Sequence, residues 1–292
     1  MSIKLIIDST CDLPEEIIKK YDLDMLPLRV YIDGKEYLDK VNITLEELYE
    51  LMRAGHHPKT SQVNPSNMKE VFEKHAKEGN ECIYLTISSE LSGTYQTALL
   101  VAKDLKEEYP DFKLKIVDSK AGSTGIGLMA YETLKQIDDK RDFHEIVESL
   151  EFQTNNIEHI FTVDSLSALY RCGRLSKSAA LLGDMFKIKV ILSLKEGAVE
   201  PLDKVRGNKK ALKTMVDIVE ERIGDFKDQL IGISHAEDLE GALKLKEMLT
   251  ERLGIKDYMI NLIGSSFGSN LGIGTRGIFF LNKKPKDYIP LV

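Results

Sequence analysis

The chain predicts an α/β protein in two parts: an N-terminal α/β/α domain on a mostly parallel sheet over residues 1–157, and a C-terminal α+β domain over 158–292. Three observations carry this. Up to about residue 157, short β-branched apolar runs alternate with segments of helical period, the pattern of a parallel sheet wrapped on both faces. Beyond it, hairpins and long helices take over. Length agrees, since 292 residues suit two moderate domains.

Lys4–Ile7 reads as a first buried strand that ends in the polar turn Asp8-Ser9-Thr10-Cys11-Asp12. Asp12-Leu13-Pro14-Glu15 has the form of a capping box with proline in the first turn, opening a helix to about Lys20. Asp24–Tyr31 is a second strand, and Asp33-Gly34 a hairpin turn into Lys35-Glu36-Tyr37. Thr44-Leu45-Glu46-Glu47 is another capping box, whose helix stops before Gly55. The hydroxyl-rich stretch 58–66, flanked by prolines, reads as a loop with Ser66 capping a helix over about Asn67–Lys77.

Cys82–Ile87 is a strand covered on both faces, and Tyr95–Leu105 has a helical period. Between them lies Ser88-Ser89-Glu90-Leu91-Ser92-Gly93-Thr94. A strand end feeding a helix start presents unpaired N–H groups, which suits an anionic headgroup. The hydroxyls of Ser88, Ser89 and Ser92 add donors there, and Gly93 lets the backbone come close. The same serines, read from this loop alone, more often are plain helix caps. Leu114–Val117 is the next strand, then a helix to about Ile137 with Gly122, Gly125 and Gly127 near its start, and an amphipathic helix at Phe143–Glu151.

In the second part, Ile160–Val163 is a strand, Ser165–Arg171 a short helix stopped at Gly173, and Ser176–Leu182 another helix. Lys189–Leu194 and Ala198–Val205 form a hairpin around Glu196-Gly197. Helices at Lys209–Ile223 and Leu239–Leu253 alternate with strands at Gln229–His235 and Asp257–Ile263, and Gly277–Leu281 is the last strand.

With 40 basic against 47 acidic residues, net −7, and no basic block, the charge pattern argues against a nucleic-acid partner. The sequence enters a strand at once and its longest uncharged stretch, Tyr258–Thr275, is broken by glycines, so neither a secretory leader nor stable membrane insertion is expected. Cys11, Cys82 and Cys172 lie far apart without a C-x-x-C, which speaks for a reducing cytoplasm over a zinc site or disulfide frame.

Gly272-Ile273-Gly274-Thr275-Arg276-Gly277 matches G-x-G-x-x-G, but a strand and not a helix follows, so the dinucleotide reading fails its structural test. A serine hydrolase with Ser92 as nucleophile needs one of six histidines as base, and His235, at a strand end, is the one placed like a site residue. The G-x-S-x-G elbow is absent. Arg171 and Arg174 put two cations near a helix end, where they either bind an anion or simply complement the helix dipole, the simpler role being favoured. Lys204–Lys210 is a denser basic patch, either a docking surface for an acidic partner or an ordinary helix start.

Taken together, Asp8-Ser9-Thr10, Thr60-Ser61-Gln62, Leu91-Ser92-Gly93-Thr94-Tyr95, Asp118-Ser119, Gly173-Arg174-Leu175-Ser176, Lys204-Val205-Arg206 and the glycine-rich approach to the last strand resemble the DegV family over essentially the whole chain. The resemblance implies a non-catalytic, two-domain bacterial carrier that buries one long-chain fatty acid between its domains, without cofactor or metal. It implies a partner fatty acid kinase that phosphorylates the presented carboxylate, the acyl phosphate then entering phospholipid synthesis. Carried over by position, Thr60 and Ser92 hold the carboxylate, with Ser61, Gly93 and Asn270 beside them, and Arg206 meets the kinase. Asn270 stands where the family often has histidine; it can donate a hydrogen bond but carries no proton or charge. The alternative is a hydrolase of acyl esters acting through Ser92.

Overall fold

Four parallel strands frame the first part: β1 (Ile3–Asp8), β2 (Asp24–Leu26), β6 (Glu81–Thr86) and β7 (Leu114–Asp118), in the order β2-β1-β6-β7. The computed structural model describes residues 2–175, 188–286 and 288–289, so the helix read at Ser176–Leu182 lies outside the described residues. Successive side chains of a strand point to opposite faces, and here the two sets enter two cores. Leu5, Ile7, Ile83, Leu85 and Val117 pack with α5 (Thr124–Asp138) and α6 (Phe143–Thr154). Ile6, Cys82, Tyr84 and Ile116 pack with α3 (Pro65–Glu78) and α4 (Thr94–Glu108). This is the expected α/β/α arrangement.

The stretch Asp24–Tyr31 is not one strand. It breaks at Pro27, which has no N–H to continue a ladder. Arg29–Ile32 (β3) crosses to a separate antiparallel sheet with β4 (Lys35–Leu38) and β5 (Lys59–Ser61), order β4-β3-β5. Asp33 and Gly34, with φ of 50° and 83°, make the turn between β3 and β4. Strand β5 lies inside the stretch read as a loop. The α3 cap is Asn64, which accepts from the Ser66 N–H at 3.0 Å, with Pro65 at the first helical position; Ser66 is inside the helix. Thr44 does cap α2 (Leu45–Arg53), accepting from Glu47 N–H at 3.1 Å. Asp12 does not cap α1 (Glu15–Lys20), which starts after Pro14 with no side-chain cap. Its carboxylate is used elsewhere.

The second sheet has six strands in the order β10-β9-β8-β13-β11-β12. They are β8 (Ile157–Thr162), β9 (Ile188–Lys195), β10 (Ala198–Arg206), β11 (Ile231–His235), β12 (Tyr258–Leu262) and β13 (Arg276–Leu281). Only β11 and β12 run parallel. Glu196 and Gly197, with φ of 48° and 85°, turn the β9–β10 hairpin. One face is covered by α8 (Asn208–Arg222) and α9 (Leu239–Leu253), which bury Ile160, Ile191, Ile233, Ile278 and Phe280. Strand β13 is central, between β8 and β11, so the G-x-G-x-x-G run feeds a sheet and no dinucleotide-binding helix follows it.

Helix α5 joins the two sheets. Eleven of its fifteen residues are buried, far more than one amphipathic face requires. A side chain at Gly127 would come within 2.8 Å of the Asp12 carbonyl oxygen, and one at Gly125 within 2.7 Å of His159 Nε2, so both glycines serve close packing. The short helix read at Ser165–Arg171 is present as α7 (Ser167–Arg171), starting two residues later, whereas α10 (Ser265–Leu271), a serine-rich turn of helix inside the uncharged stretch, was not foreseen. Among the described residues no helix is long and apolar enough to cross a membrane.

Candidate functional site

Between the two sheets lies a narrow, partly open apolar cavity. Phe161, Leu169, Leu194, Val199 and Phe279 wall it from the second part, and Ile87 and Leu91 from the segment after β6. Asn270 on α10 marks its polar end.

Asn270 Nδ2 donates to Thr60 Oγ1 at 3.0 Å and to the Ser266 carbonyl at 2.9 Å. A carbonyl oxygen only accepts, so the Ser266 contact fixes which end of the amide is nitrogen. Both amide hydrogens are therefore engaged within the protein, one of them on Thr60. The Thr60 hydroxyl accepts from Asn270 and has no acceptor for its own proton among the described residues.

Thr60 and its neighbour Ser61 cannot both face that point, since alternate side chains of a strand diverge. Ser61 Oγ instead accepts from Arg29 Nη2 at 3.1 Å. Gln62 bridges the two hydroxyl loops: its Nε2 donates to Thr97 Oγ1 at 2.6 Å, and its Oε1 occupies the space that any side chain added at Gly93 would need. Gly93 thus makes room for the neighbouring loop. Val63 N–H reaches Thr94 Oγ1 at 3.4 Å, and Thr94 Oγ1 pairs with Ser92 Oγ at 2.9 Å. The sequence-distant Thr60 and Ser92 loops therefore pack together beside the Asn270 end of the cavity.

The other two serines of the 88–94 turn are used structurally. Ser88 Oγ donates to the Gly197 carbonyl at 2.9 Å, tying this turn to the β9–β10 hairpin. Ser89 binds Asp118 through both backbone N–H and hydroxyl. None of them caps α4 from its N-cap position, which is Gly93.

His235 is not near Ser92: no imidazole lies within hydrogen-bonding distance of the Ser92 hydroxyl among the described residues, whose partners are Thr94 side chain and backbone. The histidine in the cavity wall is His159, which sequence reasoning passed over. Its Nε2 accepts from Gly122 N–H at 3.3 Å and its ring meets Phe279 edge-on, with centroids 5.3 Å apart. Complete burial pushes its pKa down to about 3, so the ring is neutral. Arg174 does more than complement the helix end. It lines the cavity and reaches across to the Leu91 carbonyl at 3.1 Å, besides binding the Cys172 carbonyl at the helix end. Neither the place of His159 in the cavity wall nor the Arg174–Leu91 contact had a local signal, since each depends on a partner remote in sequence.

Arg206 lies apart from this end. With Lys209, Lys210, Lys213 and Lys244 it borders a surface groove between α8 and α9. Lys213 pairs with Asp217 and Lys244 with Glu240, whereas Arg206, Lys209 and Lys210 have no ion pair among the described residues.

An apolar cavity walled by both sheets' segments, with Asn270 in its wall hydrogen-bonded to Thr60 behind it, is the form of a ligand-holding site. Comparison with known proteins then supplies the particular family. The model of the DegV family, whose description reads "Uncharacterised protein, DegV family", matches residues 2–283. A DegV domain-containing protein of Clostridium perfringens is 40% identical over 277 residues, covering 94% of this chain and 95% of the relative. The solved structure of a fatty-acid-binding DegV family protein from Thermus thermophilus is 30% identical, with a TM-score of 0.88, covering 96% of this chain and 99% of that one. The Fatty Acid Kinase B3 protein of Streptococcus pneumoniae, loaded with linoleic acid, is 21% identical and shares the fold at a TM-score of 0.86, covering 97% and 100%. The chain belongs to the DegV family.

Proposed function

We propose that this chain holds one long-chain fatty acid between a domain of residues 1–157 and a domain of residues 158–292, tail in the apolar cavity and carboxylate toward the Thr60 and Ser92 hydroxyls. The observation that carries the reading is the Thr60–Asn270 hydrogen bond of 3.0 Å at the polar end of that cavity, which leaves the Thr60 proton to a ligand. About fourteen buried methylenes at about 0.8 kcal/mol each give roughly 11 kcal/mol of gross driving force before ordering losses. The hydroxyls then supply orientation, and a mouth-side carboxylate stays within reach of a second protein. The Thermus thermophilus relative, which binds fatty acid, supports the same ligand here.

Organic extraction of the purified protein, read by mass spectrometry, should yield a long-chain fatty acid; an empty protein that also refuses added palmitate would sink the reading. Thr60→Ala with Ser92→Ala removes two hydrogen bonds to a charged group, each worth about 1.5 kcal/mol, so affinity for palmitate should fall about a hundredfold. Unchanged affinity would take both hydroxyls out of the headgroup site. The protein acts as a non-catalytic cytoplasmic carrier in this reading, and no observation favours the hydrolase.

The partner is a fatty acid kinase docking on the basic groove. Uncommitted Arg206, Lys209 and Lys210 stand out on a chain of net charge −7, so an acidic surface is drawn to this face and repelled by the rest. Arg206→Ala should lower kinase-dependent turnover of the bound acid about tenfold, a typical loss for one interface arginine, while leaving acid affinity unchanged. Intact turnover would remove Arg206 from the contact.

A further inference from the structure

Three backbone groups around the start of α10 are held by side chains from far up the chain. Tyr49 O–H donates to the Ile263 carbonyl at 2.9 Å. Gly264 N–H donates to both carboxylate oxygens of Asp12 at 3.2 Å, and Ser266 N–H to Asp39 Oδ2 at 3.2 Å. Both carboxylates are buried, at 3% and 0% exposure. Asp12 is completed by Lys40 Nζ at 2.9 Å and Ser123 Oγ at 2.6 Å, and Asp39 by Ser9 Oγ at 2.9 Å. Asp39 Oδ1 has no partner among the described residues.

We propose that Asp12 and Asp39 are positioning residues for the ligand site, clamping the start of α10 so that Asn270 at its far end fixes Thr60. A helix of seven residues with no side-chain cap does not set its own orientation, because isolated turns are marginal in water. Hydrogen bonds to a charged carboxylate are about twice as strong as neutral ones, and Asp12, paired with Lys40, supplies them to the Gly264 N–H. The fit is close: a side chain at Gly264 would meet Asp12 Oδ1 at 2.7 Å, and one at Gly268 would meet the Tyr49 hydroxyl at 2.6 Å. The same helix carries Ser266, Phe267 and Leu271 in the cavity wall, so a small rotation displaces wall and Asn270 together.

The test compares Asp39→Asn with Asp8→Asn in the full chain. Asp8 is equally buried, but its partners are Thr10 and the Ile87 N–H, neither on α10. In Asp39→Asn, amide hydrogen exchange over 264–271 should quicken at least tenfold against wild type, and in Asp8→Asn it should not. Protection equal to wild type, or an equal rise in Asp8→Asn, overturns the proposal. Should Asp39→Asn fail to fold, Tyr49→Phe deletes one hydroxyl and should quicken exchange in the same segment about threefold; no change there is equally fatal. The second arm rests on the fatty-acid reading. Palmitate affinity should fall about tenfold in Asp39→Asn but less than twofold when Asn270→Ala is already present, and an equal loss in both backgrounds overturns the positioning role. A wild-type protein that binds no palmitate defeats the functional reading and leaves the exchange result to decide this one.

Discussion

Leu194→Trp is expected to weaken palmitate binding about a thousandfold while leaving the unfolding temperature within about 2 °C of wild type. Leu194 sits in β9, lines the cavity and is only half-buried, so an indole has room to enter the channel without unpacking the core. Where the ring enters, tail cannot. Excluding about five methylenes at about 0.8 kcal/mol each forfeits about 4 kcal/mol, which is the thousandfold. The polar end stays intact, with Thr60 and Asn270 still paired, so the loss reports on the tail alone. Isothermal titration of both proteins decides it. Wild-type affinity in the variant would mean that the tail runs elsewhere, and the cavity would lose its role.

Much of the frame was legible because each sheet face writes itself into the sequence. The alternation of Leu5, Ile6 and Ile7, or of Ile83, Tyr84 and Leu85, assigns residues to two cores, and Asp33-Gly34 names its own turn. What failed was short or long-range. Strand β5 is three residues, too few for a period, and without it nothing showed that Thr60 and Ser61 point apart. Helix α10 has three serines, a glycine and an asparagine among its seven residues, types whose propensity favours turns. Asp12-Leu13-Pro14-Glu15 satisfies the capping pattern, yet the carboxylate has better partners in Lys40, Ser123 and Gly264, the last some 250 residues on. A local rule cannot see a competitor that arrives with the tertiary fold. The same holds for His159, one of six histidines until the cavity closes around it.

That histidine gives the second large effect, an acid limb in stability. Buried without a charged neighbour, folded His159 takes up a proton only near pH 3, whereas an unfolded histidine does so near 6.5. Below pH 6.5 the unfolded chain therefore binds a proton that the native chain refuses, and stability falls as pH falls, by about 1.4 kcal/mol per unit and about 5 kcal/mol in all by pH 3. Above pH 6.5 this group contributes nothing. Asp8 works in the opposite direction: burial raises its pKa to about 6, so between about 6 and 4 the native state holds the extra proton and gains stability as pH falls. Wild type alone would thus show a shallow slope over that interval, with two steep terms opposed. Subtraction separates them. His159→Gln keeps an acceptor for the Gly122 N–H and removes the titration, so urea unfolding at pH 7 and pH 4.5 should show wild type losing about 3 kcal/mol more than the variant, two pH units at the slope above. Parallel losses would place the imidazole in contact with water. A neutral ring here also matters for the cargo, because an imidazolium among Phe161, Phe279 and an acyl tail would be a charge with nothing to pair with.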